Sequence, residues 1–435
     1  MRISILVGSL LVGGLWLALA SACSAQGGQY TSPGGAGPGR GIPDATQFED
    51  KIEDARWNFG SLRVSPALGF DDAAFVSSEG AGNGADGDDD FTATFTAGVR
   101  AYLRSSSNVV FTGHVLPSYV FWQDNDDKSH FGGRYGAGLF GFFNRAKFQL
   151  SYQYNDEQTF FSDEVQELTS VLETRAIAAV EVEVLRNLWI TARGSASTFE
   201  AANDDDDVFF RSLDRDSTLY EAEIAYKAPD AWSLAVLYRG EETDFADEAR
   251  DLDNTSDGLY LGAGYEGNRL ALYAEVGRRE LEPDGNSQFP SQEETVGQVD
   301  ALLELGARSA LLGYARRDIT YSTLADRAYF LDEAIGARLQ LSARKVRFGV
   351  LAEVGENDYQ SLDPLVESRV DDVISYGADL TIPLGDLFIV SFNALYSEFD
   401  SNQPEFDRDV TTWGVSVRLG SIRDRLQLGS PADEW

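Results

Sequence analysis

Residues 91–104 read Phe91-Thr92-Ala93-Thr94-Phe95-Thr96-Ala97-Gly98-Val99-Arg100-Ala101-Tyr102-Leu103-Arg104. The odd positions, Phe91 through Leu103, are all apolar. The even positions are Thr92, Thr94, Thr96, Gly98, Arg100, Tyr102 and Arg104. A period of two places these sets on opposite faces of a β-strand. The polar face keeps its register from Thr92 to Arg104, which a loop has no reason to do.

The same alternation recurs outward from this stretch. Leu62, Val64, Pro66, Leu68 and Phe70 alternate with Arg63, Ser65, Ala67, Gly69 and Asp71. Ala146, Phe148, Leu150, Tyr152 and Tyr154 alternate with Lys147, Gln149, Ser151, Gln153 and Asn155. Leu172–Val184, Val346–Val354 and Trp413–Leu419 follow the same rule. Two stretches are less regular: 109–122 carries apolar residues on both faces, and 131–143 is rich in glycine.

The connections alternate too. Short ones fall at 105–108, 144–145, 186–187, 228–231, 266–268, 307–309, 342–345 and 383–386. Long ones fall at 77–90, 124–130, 156–169, 200–217, 241–256, 280–295, 317–327, 355–369 and 399–409. These eight turns and nine loops predict an all-β fold, a transmembrane antiparallel up-and-down β-barrel of about 18 strands. Short periplasmic turns and long extracellular loops are expected, and the even strand count puts both chain ends in the periplasm. The loops carry most of the acid, at Asp86–Asp90, Asp124–Asp127, Asp204–Asp207 and Glu241–Asp253.

A formal net charge of −36 over 435 residues argues against nucleic acid as a partner. The first 25 residues have Arg2, an apolar run from Ile3 to Ala20, and small residues after it, the pattern of a secretory signal peptide. Residues 26–56 read as a periplasmic Gly/Pro-rich linker with a short helix, which Asp44 and Gln47 could cap and on which Phe48, Ile52 and Ala55 share a face. The helix is expected in the periplasm or tucked under the barrel. A plug inside the lumen is the lesser expectation, because the helix is short. Residues 57–420 form the barrel and 421–435 a periplasmic tail. Cys23 is the sole cysteine, so the mature fold has no disulfide. Ala20-Ser21-Ala22-Cys23 loosely resembles a lipoprotein cleavage box, which leaves lipidation of Cys23 open beside a plain signal-peptide residue.

In lipid every backbone N–H and C=O needs a partner, so the sheet must close on itself. Aromatic residues near strand ends would mark the headgroup level: Tyr119, Phe121, Tyr154, Trp232, Tyr238, Tyr265, Phe388, Tyr396 and Trp413. By parity the inner face receives Arg63, Arg100, Arg104, Arg134, Arg175, Arg193, Arg239, Arg338, Arg347 and Arg418. It also receives Glu173, Glu181, Glu183, Glu221, Glu223, Glu275, Glu304, Glu353 and Asp379. These are the pore-lining candidates. Either they create a transverse field that orients solutes, or they pair across neighbouring strands and fill the interior.

The opening Trp57-Asn58-Phe59-Gly60-Ser61-Leu62-Arg63-Val64-Ser65-Pro66-Ala67-Leu68-Gly69-Phe70, on through Phe75, resembles the first strand of outer-membrane barrels of the porin-2 type. The lead-in Ile52-Glu53-Asp54-Ala55-Arg56-Trp57 resembles theirs as well. The resemblance implies a barrel and, through the family's link to exopolysaccharide export loci, a polysaccharide role. Residues 412–419 resemble the terminal assembly signal, with Val417 and Leu419 where aromatics are usual.

The expected function is therefore a porin-like channel for polar solutes or for export of a polysaccharide. The alternative is a structural or surface-interaction barrel whose lumen is closed by loops. Acidic outer loops would favour cations. The expected partners are outer-membrane lipid, lipopolysaccharide and the barrel assembly machinery, in a diderm bacterium; the oligomeric state is left open. No cofactor is expected. Asp204–Asp207 lacks the glycine and terminal glutamate of a calcium loop. His114 and His130 are the only histidines and belong to no catalytic motif, so no enzyme activity is expected.

Overall fold

A computed structural model describes residues 42–43, 45–79, 90–123, 128–160, 168–201, 210–229, 231–247, 252–284, 289–322, 327–343, 346–361, 368–385 and 388–419. The signal peptide, Cys23, most of the linker, Asp44, the loop acids Asp86–Asp89, Asp124–Asp127 and Asp204–Asp207, and the tail lie outside the described residues.

Helix α1 (Ala45–Asp54) comes first. It is followed by β1 (Trp57–Phe59), β2 (Leu62–Glu79), β3 (Asp90–Ser106), β4 (Val109–Trp122), β5 (His130–Phe143) and β6 (Ala146–Phe160). Next come β7 (Leu168–Leu185), β8 (Leu188–Ala201), β9 (Arg215–Lys227), β10 (Trp232–Phe245), β11 (Asn254–Glu266) and β12 (Leu270–Pro283). The last are β13 (Gln292–Gly306), β14 (Ser309–Tyr321), β15 (Arg327–Ala343), β16 (Val346–Ser361), β17 (Arg369–Leu384), β18 (Phe388–Ser401) and β19 (Arg408–Leu419). Among the described residues they form one sheet. From β2 to β19 each strand pairs antiparallel with both neighbours, and β19 returns to β2, closing a barrel of 18 strands.

The two faces of the wall separate as lipid and water require. On β10 the outward positions Trp232, Leu234, Val236 and Tyr238 are all exposed. Leu259 and Leu261 on β11 and Ile224 on β9 continue this apolar band. Ring pairs mark its edges: Trp232 with Tyr265 at the short-turn end, centroids 4.7 Å apart, and Tyr376 with Tyr396 towards the long loops, at 4.9 Å. Beyond the upper ring the outward positions turn charged, at Glu242, Asp257 and Glu398.

The strands are longer than the sequence pattern suggested. They run 12 residues in β19 to 18 in β7, where about 9–11 suffice to cross a bilayer. The stretches 156–160, 241–245 and 355–361, expected in loops, are strand. Both faces turn polar there, so alternation of hydrophobicity vanishes while the backbone ladder continues.

The first strand also differs from expectation. Gly60 adopts φ +71° and turns the chain, so Trp57–Phe59 folds back as β1 onto Leu62–Val64. β19 ends at Leu419 and pairs with β2 only from Gly69 upward. β1 thus covers part of the lower edge of β2 that β19 leaves bare. Glycine has a packing reason in β5: a Cβ at Gly136 would strike the His114 ring on β4.

Candidate functional site

The registers place every pore-lining candidate on the face opposite the apolar band. They divide the inner wall into two arcs of different chemistry.

The first arc comprises β19 and β2–β5. Its inward positions include Arg418, Arg63, Arg100, Arg104, His114 and Arg134. Among the described side chains, no inward carboxylate stands on these five strands. Arg134 takes its acid from the next strand, Glu157 at 2.8 Å. Arg104 takes its acid from α1, Glu49 at 2.8 Å. Arg63 donates to Asn58 and to the Gly60 carbonyl in the β1–β2 turn.

The second arc, β6–β13, is laced with opposite charges. Arg193 and Arg239 both bond Glu221, at 3.5 and 2.9 Å, and Arg239 reaches Glu275 at 3.5 Å. Tyr273 donates to the other Glu275 oxygen at 2.6 Å, and Tyr260 lies under the Arg239 guanidinium, 4.7 Å from it. Nearer the short turns, Glu181 holds Lys227 and Lys147, and Glu183 holds Arg145 at 3.5 Å and the Asn187 N–H at 3.0 Å. Arg175 pairs with Glu173 at 3.8 Å. Buried ion pairs of this kind roughly offset their own desolvation, but removing one partner is strongly destabilising. Between the arcs, Arg338 on β15 bonds Asp379 on β17 across β16, where a Cβ at Gly349 would strike both groups. Glu223, Glu304, Arg347 and Glu353 share the inward parity. Glu304 is exposed near a short turn.

At the long-loop end the wall itself enters the lumen. Pairing between β13 and β14 stops at Gly297 and Arg317, although both strands continue. The β14–β15 corner then folds inward. Tyr321 meets the Phe245 ring of β10 at 5.0 Å and donates to Asn254 of β11 at 3.0 Å. Ile319, Tyr329 and Leu331 join Phe199, Leu237, Tyr260 and Leu281, which face inward on β8 and β10–β12, in one buried cluster. A face with lipid-facing parity thus packs against the inner wall. Arg279 clamps the corner, bonding Asp318 at 3.0 Å and Glu241 at 3.3 Å, while Arg317 bridges the split to Glu294 at 3.0 Å. On the corner's other face Phe330 packs on Tyr359, over which lies Arg369, held by Asp371 at 2.8 Å. Parity had no means of showing this corner; its one trace is Ala328-Tyr329-Phe330-Leu331, apolar at four successive positions.

The short-turn end holds α1. Phe48, fully buried, sits 4.7 Å from the Phe140 ring and 5.9 Å from Phe142, and with Ile52 joins Tyr102 and Val110. All four wall residues face inward, so the helix lies inside this mouth rather than below it. The reach of Phe48, not the helix length, sets its position.

Ser170, His130 and Asp156 also meet. The Ser170 hydroxyl is 2.8 Å and the Asp156 carboxylate 3.5 Å from the same nitrogen, Nε2 of His130, and Nδ1 faces the Lys128 carbonyl at 3.0 Å. A base needs its orienting carboxylate on the other nitrogen, so this trio is a tie between strands and not a proton relay.

No protein-family model and no curated protein sequence matches the chain. Solved structures do. A BenF-like porin from Pseudomonas fluorescens Pf-5 superposes with a TM-score of 0.53 at 11% identity, covering 84% of this chain and 100% of that one. OccK2 (OpdF) of Pseudomonas aeruginosa, solved with glucuronate, gives 0.50 at 12% identity, covering 83% and 97%. OccK9 (OpdG) of the same organism gives 0.50 at 12%, covering 85% and 99%. At this identity the likeness speaks for the fold: the chain has the 18-strand barrel of outer-membrane porins.

Proposed function

We propose that the protein is an outer-membrane channel of a Gram-negative-type bacterium, conducting small polar solutes and preferring anions. The observation that carries the reading is the basic arc of β19 and β2–β5, where Arg418, Arg63, Arg100, Arg104 and Arg134 face inward and no inward carboxylate stands among the described side chains. An inner wall of this polarity would be costly around an apolar filling, and at 18 strands a porin lumen is too wide for side chains alone to fill. The two arcs set a field across the lumen that would draw carboxylates along Arg418, Arg63, Arg100 and Arg134. A small sugar acid is the solute class to try first. Short turns towards the periplasm and long loops outside complete the reading.

The acidic loops argued for cations from the sequence; the inner wall argues for anions. Planar-bilayer recording under a salt gradient decides between them. A reversal potential of anionic sign is expected, and a cationic sign would overturn the selectivity. No conductance from any preparation would overturn the channel.

A closed lumen is the second reading, favoured by the inward-folded β14–β15 corner. Liposome swelling separates the two, since a closed barrel admits no sugar. Export of a polysaccharide strand is a narrower form of the channel reading, suggested by the porin-2 resemblance of residues 57–75.

A further inference from the structure

We propose that helix α1 is a built-in plug: an acidic segment that occupies the short-turn end of the basic arc and competes there with anionic solutes. The proposal rests on the channel reading above.

Three observations converge. The helix reads Ala45-Thr46-Gln47-Phe48-Glu49-Asp50-Lys51-Ile52-Glu53-Asp54, with four carboxylates against one lysine. It brings an acid to the inward face of β3, through Glu49 on Arg104. It is also anchored hydrophobically, with Phe48 fully buried among Tyr102, Val110, Phe140 and Phe142, and Ile42 and Pro43 buried just before it.

The charge of the plug matches the path it covers. A segment that only stapled the fold needs the Phe48 anchor and no acid. One that occupies an anion path is helped by carrying the solute's charge.

The two contacts differ in how they can be released. The Arg104–Glu49 pair is part exposed on both sides, 37% and 45%, so salt screens it. The Phe48 anchor does not respond to screening. Residues 55–56 join the helix to β1, and its contacts with the wall are made by the side chains of Phe48, Glu49 and Ile52. Undocking therefore needs no change in the wall.

Two measurements on the full-length protein test this together. The first is unitary conductance of the parent, Phe48→Asp and Glu49→Gln. The second is maleimide labelling of Phe48→Cys in a Cys23→Ser background, with Glu53→Cys, an exposed position, as the labelling control. Labelling reports docking without reference to any current. We expect Phe48→Cys to be protected at low salt relative to Glu53→Cys, Phe48→Asp to raise conductance about twofold, and Glu49→Gln to raise it less. Anion preference should increase when the helix leaves. Protection of Phe48→Cys combined with an unchanged conductance in Phe48→Asp would overturn the plug and leave the channel standing. Rapid labelling of Phe48→Cys at low salt would overturn the docked helix itself. Absence of current in every variant would overturn the channel reading and the plug with it.

Discussion

The two arcs of the inner wall are built from similar residues and do different work. On β6–β13 nearly every cation named has a carboxylate one or two strands away: Arg239 between Glu221 and Glu275, Arg279 between Glu241 and Asp318, Lys227 and Lys147 about Glu181. On β19 and β2–β5 the carboxylates come from outside the five strands, from Glu157 of β6, Glu49 of α1 and Asp371 of β17, which reaches Arg408. The paired arc spends its charge on holding strands and the inward corner together. The basic arc, on the channel reading, presents an excess of cations to the lumen. An inward arginine therefore has no fixed meaning by itself; what decides its role is which side chains the neighbouring strands place opposite it.

The comparison can be broken first in the paired arc. Arg239→Met should cost about 3–5 kcal/mol, because Glu221 and Glu275 stay behind, buried without that cation. Denaturant unfolding of the refolded barrel reads this, and ion selectivity should change little. A loss below ~1 kcal/mol would mean that the arc is wet and its pairs are screened. Next is the corner that the paired arc clamps. Phe245→Ala removes the ring that Tyr321 packs on and should cost about 3 kcal/mol, with a rise in conductance as the long-loop end loosens. Unchanged conductance would show that this end is not a constriction. The basic arc is read by selectivity. Arg100→Glu should shift the reversal potential towards cations. An unchanged reversal potential would erase the distinction between the arcs.

Most of the barrel could be read from the residues, because lipid enforces a period of two wherever the strand lies in the apolar band. Phe91–Arg104 and Ala146–Asn155 show it plainly, and inward parity followed for Arg193, Glu221, Arg239 and Glu275 without exception. The rule stops where the lipid stops. Glu241–Phe245 read as a loop because neither face meets acyl chains, although the ladder to β9 continues through it. It also fails where a lipid-like face is buried by protein. Ile319, Tyr329 and Leu331 carry the parity of lipid contacts, and alternation cannot distinguish an acyl tail from the inner wall of the same barrel. The helix was visible as an amphipathic turn carrying Phe48 and Ile52, but the surface receiving it is scattered over three strands, at Tyr102, Val110 and Phe140. Which charges pair is likewise a matter of register between strands, which no single strand records.

The seam between β2 and β19 has a consequence for time rather than for shape. It joins residues near 70 to residues near 417, whereas the other ladders join strands that are consecutive in the chain. Contacts so far apart in sequence are slow to find, and none of the intervening hairpins requires them. The seam should therefore be the last ladder to form. It carries a register shift between Val415 and Val417, opposite Phe70 and Ala73 of β2. Until β19 arrives, β1 is the one described strand on that edge of β2, covering Leu62–Val64 while the edge from Gly69 upward waits open. A chain truncated before β19 would then be a sheet with two long edges, the state most exposed to pairing with another copy.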